Sequence, residues 1–165
     1  MESLPLSQTS SACYRMNGST QHTGVLFMRL HHVGFVVADI STAMEGFVRS
    51  LGATWDRRTF NDPNQKVRVA FLEVRAGDPL IELVEPAGDD SPVRSFLAER
   101  GGGMHHVCYE VLDLEGQMAE MKARGAMIVR RPRPAVAFDG RRIAWLLTAE
   151  KLLVELLEKE IPEPA

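Results

Sequence analysis

The second half of this chain repeats the first. Leu30-His31-His32-Val33-Gly34-Phe35-Val36-Val37-Ala38-Asp39-Ile40 runs in step with Met104-His105-His106-Val107-Cys108-Tyr109-Glu110-Val111-Leu112-Asp113-Leu114, an offset of 74 positions. The match continues through Met44 and Met118, slips by one at Gly52-Ala53 against Gly125-Ala126, and returns at Ala70-Phe71-Leu72 against Ala144-Trp145-Leu146. It closes with Ile81-Glu82-Leu83-Val84-Glu85 against Val154-Glu155-Leu156-Leu157-Glu158. A duplicated supersecondary unit limits the fold sharply, because each copy needs the other to cover its apolar face.

Periodicity changes in the same order within each copy. Residues 30–37 alternate as a strand, with Val33, Phe35 and Val37 on one face and His32, Gly34 and Val36 on the other. Asp39 then starts a helix in which Ala43, Met44, Phe47 and Leu51 recur at helical spacing, and Gly52 ends it. Strands follow at about 53–60, 66–74 and 79–85. The second copy predicts strands near 104–111, 126–131, 141–148 and 151–158, with a helix carrying Leu114, Met118 and Met121 and ended by Gly125. Between the copies, Ser91 is expected to cap and Pro92 to open a short helix that the Gly101-Gly102-Gly103 run ends. The expected fold is therefore α+β: two tandem βαβββ units forming a curved mixed sheet around a metal-binding cleft. The units span 29–86 and 104–159, joined by a connector over 87–103, within a domain of 28–160.

Strand alternation also fixes where the polar residues point. Glu82 shares a face with Leu80 and Val84, opposite Ile81 and Leu83; Glu155 lies between Leu153 and Leu157, opposite Val154 and Leu156. A carboxylate inside so apolar a strand is costly to bury without compensation. Two of them at equivalent positions, each matched to an equivalent histidine, argue for a shared cation. His32, Glu82, His106 and Glu155 offer two imidazoles and two carboxylates, which suits Co²⁺, Mn²⁺, Ni²⁺, Fe²⁺ or Zn²⁺ with coordination positions left open. Structural zinc prefers closed, thiolate-rich tetrahedra. An open site beside a cavity is a Lewis acid for a substrate oxygen.

The remaining residues with chemical potential have plainer readings. His31 and His105 are expected as hydrogen-bonded core residues, Glu85 and Glu158 as solvated strand ends, and Cys108 as a small packing residue in the place of Gly34. Arg130-Arg131-Pro132-Arg133 and Arg141-Arg142 read as surface, with an anion site as the alternative.

With 45% apolar and 25% charged residues the chain reads as globular. A net charge of −3 gives no electrostatic case for nucleic acid or an anionic membrane. No apolar run approaches the roughly 18 residues of a membrane span. The two cysteines, Cys13 and Cys108, form no disulfide framework, which favours a reducing cytoplasm. Residues 1–27, rich in Ser, Thr, Gln and Gly, show no periodicity and none of the basic and apolar segments of a signal peptide. They read as a disordered tail, with Met28 an alternative start; residues 161–165 are expected to fray.

These residues in this repeated order resemble the vicinal oxygen chelate superfamily, which includes lactoylglutathione lyases, extradiol dioxygenases, bleomycin-resistance proteins and methylmalonyl-CoA epimerases. The resemblance covers roughly residues 29–159. Gln65 to Val111 is most similar to methylmalonyl-CoA epimerase, above all Glu85-Pro86 and Asp90-Ser91-Pro92 leading into Gly103-Met104-His105-His106. It implies a divalent metal held by His32, Glu82, His106 and Glu155, an acyl-CoA substrate, and an enolate formed beside a thioester carbonyl. Glu155 is the expected base, with Glu82 acting from the opposite face. Paired units in relatives imply a possible homodimer.

The chain departs from the epimerases at three places. Val69 stands where some carry a further carboxylate, Lys66 replaces a usual Gly, and the loops 134–140 and 148–151 differ from the family's Gly-rich turn and His-Pro-Lys-Ser-type loop. The alternatives the sequence leaves open are a lactoylglutathione lyase-like isomerase, which uses the same ligand set, and a metal-free drug-binding protein of the same fold. A dioxygenase iron site would leave Glu82 surplus.

Overall fold

The computed structural model describes residues 28–160; the expected tail at 1–27 and the terminal 161–165 lie outside them. Each repeat forms one strand, one helix and three strands. The first contributes β1 (Met28–Val36), α1 (Ile40–Leu51), β2 (Phe60–Asp62), β3 (Val67–Leu72) and β4 (Leu80–Pro86). A connecting helix α2 (Arg94–Arg100) leads to β5 (Gly103–Val111), α3 (Leu114–Ala123), β6 (Met127–Pro134), β7 (Arg142–Leu147) and β8 (Leu153–Glu158). A short 3₁₀ turn, Val136–Phe138, sits between β6 and β7.

All eight strands join one sheet in the order β2-β3-β4-β1-β5-β8-β7-β6. The two central strands, β1 and β5, run antiparallel, while β4 lies parallel to β1 and β8 parallel to β5. The pseudo-two-fold axis therefore passes between β1 and β5. The expected α+β architecture of tandem βαβββ units around a cleft is the one observed.

Both helices cover the convex face, as the apolar spacing predicts. In α1, Asp39 accepts a hydrogen bond from Thr42 N at 2.7 Å, satisfying one of the free amides of the first turn, and Gly52 adopts φ +67° to end the helix. Ile40 and Met44 then pack on Ala70, Leu72 and Leu83. In α3, Asp113 caps Gly116 N at 2.9 Å, and Leu114 and Met118 pack on Ala144, Leu146, Val154 and Leu156. Burying each such aliphatic side chain contributes roughly 1.5–3 kcal/mol. The opposite, concave face carries Val36, Val67, Val69 and Val84 in one half, and Cys108, Ile143 and Leu157 in the other.

Four expectations need correction. The strand expected over 53–60 survives only as a bridge between Thr54 and Glu73 and the three residues Phe60–Asp62. Arg57 takes φ +65° and Asp56 accepts from Arg58 N at 2.9 Å, a local turn that breaks the ladder. Ser91 does not cap α2: Arg94 N bonds the Ser91 carbonyl at 3.1 Å, the helix starts after that turn, and Ser91 Oγ is buried without a hydrogen-bond partner. Glu85 and Glu158 are not simply solvated. Glu85 accepts from Ile40 N at 2.9 Å at the start of α1 and pairs with Arg68, and Glu158 pairs with Arg142. Arg141 and Arg142 are likewise engaged, with Glu110 and with Glu115 and Glu158.

Two local irregularities in the central pair have consequences for the site. Leu30 pairs with Tyr109 and His32 with Cys108, so β1 carries one extra residue, His31. Phe35 pairs with Met104 and Gly34 with His106, so β5 carries one extra residue, His105. These are β-bulges, and they occupy equivalent positions in the two repeats.

Candidate metal centre

Register across four neighbouring strands assembles the site. Gly34 on β1 lies between Glu82 on β4 and His106 on β5; Cys108 on β5 lies between His32 on β1 and Glu155 on β8. Because residues facing each other across strands share a sheet face, all four polar side chains emerge on the concave side. They belong to two rows, each crossed by the other's histidine strand, so the pseudo-symmetry brings them to one point.

The distances bear this out. His32 Nε2 lies 3.1 Å from Glu155 Oε2 and 3.5 Å from Glu82 Oε2. His106 Nε2 lies 3.2 Å from Glu82 Oε2 and 3.8 Å from Glu155 Oε2, and the two Nε2 atoms are 3.2 Å apart. Donor atoms bound at about 2.0–2.2 Å around a divalent ion sit about 3.0–3.5 Å from one another. All of these spacings but the 3.8 Å between His106 and Glu155 fall in that range, as a cation held within the cluster requires. The three-residue set His32, Glu82 and His106 meets that geometry among the described residues, and Glu155 stands beside it, its Oε2 3.1 Å from His32 Nε2.

Burial makes the cluster expensive without such a charge. His32, Glu82, His106 and Glu155 are all between 0 and 6% exposed. Glu155 Oε2 is buried with no aligned hydrogen-bond partner, a vacancy in bonding that a cation would fill. Burial opposes ionisation of Glu82, but the charges and hydrogen bonds of His32 and His106 outweigh it and hold the carboxyl well below the usual range. Burial also works against a charged His32; Glu82, Cys108 and Glu155 overcome it and lift the ring well above its ordinary value. Each partner favours a charged neighbour, and two carboxylates with two imidazoles are the donor set of a divalent cation.

Aromatic braces repeat the symmetry. Phe71 meets the His32 ring edge-on at 5.6 Å, and its counterpart Trp145 meets His106 at 4.7 Å. Gly34 leaves the space that the His106 ring occupies: a Cβ there would lie 2.0 Å from His106 Cε1. Cys108 is fully buried, a packing residue as expected, and burial raises its thiol.

Beside the cluster opens a cavity of about 240 Å³. His106, Glu82 and Glu155 form part of its wall, and Val67, Val69, Val84 and Phe138 give it an apolar character. Arg130, read from sequence as surface, reaches this cavity. Asp62 closes one end: buried, it accepts from Asn64 N and Gln65 N at 2.9 and 3.0 Å, and from Val136 N at 3.4 Å across the cleft. Trp145 donates to Gln65 Oε1 at 3.2 Å, a second tie between the tips of the two hairpins. Sequence reasoning missed Asp62 and Phe138. Neither position is polar or apolar out of turn locally, and only the curl of the sheet brings them to the cleft.

His31 and His105 depart from the expected core role. They are half-buried, and each stands beside a cluster histidine, Nδ1 to Nδ1, at 2.9 and 3.0 Å. Burial, then the neighbouring ring, depresses both to about 4, so each is neutral at pH 7.

The family model described as the glyoxalase/bleomycin resistance protein/dioxygenase superfamily matches residues 31–145. The chain is 32% identical over 119 residues to the ethylmalonyl-CoA/methylmalonyl-CoA epimerase of Cereibacter sphaeroides, covering 72% of this chain and 87% of that one. Among solved structures it is similar to methylmalonyl-CoA epimerase from Mycobacterium tuberculosis, with a TM-score of 0.72, 28% identity, and coverage of 86% of this chain and 94% of that one. A Streptomyces coelicolor methylmalonyl-CoA epimerase variant in complex with 2-nitronate-propionyl-CoA gives a TM-score of 0.71 at 26% identity, covering 82% and 99%. The chain belongs to the glyoxalase/bleomycin resistance protein/dioxygenase superfamily.

Proposed function

We propose that this protein is a metal-dependent epimerase of methylmalonyl-CoA or a close 2-substituted malonyl-CoA, with His32, Glu82, His106 and Glu155 as the metal ligands. The observation that carries the reading is the convergence of these four buried groups on the wall of an apolar cavity. The relatives named above act on, or are bound to, acyl-CoA thioesters of this class.

A divalent ion bound there would stabilise the negative charge that develops on the thioester oxygen as the C2 proton leaves. The chain's own residues do the rest. Glu155, one of the residues that would hold the ion, takes the C2 proton from one face. Glu82, related to it by the pseudo-two-fold axis, acts from the other face, passing to C2 a proton drawn from solvent while the proton on Glu155 is released to solvent. No third carboxylate is available on β3, because Val69 occupies that wall. The valine wall excludes water from the enolate and takes the apolar C2 substituent.

The test is deuterium uptake at C2 of methylmalonyl-CoA in D₂O by Co²⁺-loaded protein. Exchange with inversion is the expected result, reduced about 10²–10⁴-fold in Glu155→Gln. Absence of exchange together with isomerisation of the methylglyoxal–glutathione hemithioacetal would replace this reading with a lactoylglutathione lyase-like one.

A further inference from the structure

We infer that His31 and His105 are positioning residues: each bulged histidine holds the proton of its neighbour on Nδ1, so that Nε2 of His32 and of His106 is presented to the cation. The inference rests on the metal-site reading above and adds the residues that set its tautomers.

In an unbroken strand, neighbouring side chains point to opposite faces, so His31 would turn away from His32 and His105 from His106. The bulges remove that constraint. Each inserts one residue into the central pair, the inserted residue being His31 in β1 and His105 in β5, and a bulge re-aims a side chain. The result is the same in both copies, with Nδ1 to Nδ1 distances of 2.9 and 3.0 Å. Two independent repeats reach one geometry.

A single proton bridges each Nδ1 pair, so one ring donates and the other accepts. The Nε2 atoms of His32 and His106 face Glu82, Glu155 and each other. A nitrogen that binds a cation must offer a lone pair, which puts the proton of that ring on Nδ1. His32 and His106 are then the donors, and His31 and His105 accept on Nδ1 while carrying their own proton on Nε2. Outer partners of this kind orient ligand rings and fix their tautomer. Phe138 against His31 at 5.5 Å and Phe96 against His105 at 5.0 Å hold the accepting rings in place. His31, His32 and Cys108 are also close enough to share an ion. His32 has no nitrogen left for that, with one facing His31 and the other the four-residue cluster.

The experiment compares His31→Leu and His105→Leu, which remove the acceptor, with His31→Asn and His105→Asn, whose side-chain oxygen falls near the place of Nδ1. Co²⁺ titration of the full-length protein, read by the visible d–d spectrum, gives affinity without reference to turnover. The leucine variants should bind about 10–100-fold more weakly with a changed spectrum, and the asparagine variants within about threefold of the parent. Ring ¹⁵N shifts of the Zn²⁺-loaded parent should report Nε2–H at residues 31 and 105 and Nδ1–H at 32 and 106. Leucine variants that match a metal-binding parent, or Nδ1–H at His31 and His105, would overturn the inference. A parent that binds neither Co²⁺ nor Zn²⁺ overturns the metal site itself. Melting temperatures identify a variant that fails to fold, and the ¹⁵N shifts of the parent then decide alone.

Discussion

Gly34→Ala is the smallest change that separates the proposed metal centre from the fold. The added Cβ would lie 2.0, 2.4 and 2.5 Å from Cε1, Nδ1 and Nε2 of His106, about 0.9–1.4 Å short of the 3.4 Å at which ordinary contact begins. Metal–ligand distances tolerate about 0.2 Å, so a ring displaced by an ångström or more no longer coordinates. His106 would be lost as a ligand while His32, Glu82 and Glu155 remain. Affinity should drop by more than about 100-fold, beyond the upper range for loss of an outer partner. Stability should respond much less. Gly34 is not in the left-handed region, so alanine restricts the unfolded chain by about 0.4–1 kcal/mol in favour of folding, against about 1–3 kcal/mol of overpacking. Cys108→Ala, at the pseudo-equivalent position, removes an atom rather than adding one and serves as the control. Calorimetric titration with Co²⁺ alongside urea denaturation reads both quantities. Gly34→Ala binding within threefold of the parent would show that His106 is not a ligand.

Two further perturbations probe the scaffold. Asp62→Ala removes the buried acceptor of the backbone amides of Asn64, Gln65 and Val136, at about 1–3 kcal/mol for each amide that water cannot reach. Urea unfolding should show a loss of about 2–4 kcal/mol, less for Asp62→Asn, and equal stability of parent and alanine variant would refute the role of this tie. In chelator, stability should fall as pH drops from about 6.5 to about 4. His31 and His105 titrate near 4 when folded and near 6.5 when unfolded, so in that window the unfolded chain binds more protons. After discounting for their half-exposure the pair contributes about 1–2 kcal/mol. His32, lifted above its ordinary value, acts only above that window. A flat profile between pH 6.5 and 4 would contradict the neutral state of both rings.

The repeat at an offset of 74 and strand alternation were enough to select His32, Glu82, His106 and Glu155 and to place them on one face. Both are local properties, written along the chain: alternation follows from the two-residue period of a strand, and the helix ends follow from Asp39, Asp113 and Gly52. The sequence also marked Gly34 and Cys108 as small residues in equivalent places. What it lacked was pairing. The curl that brings Asp62 to Val136, the loss of strand at Asp56–Arg58, and the uncapped start of α2 after Ser91 all depend on partners distant in sequence or on turns that compete with the ladder. His31 and His105 show the difference most clearly. By alternation they belong to the opposite face from the cluster, and only the insertion of one residue against the partner strand, a property of two chains of backbone together, turns them onto its histidines.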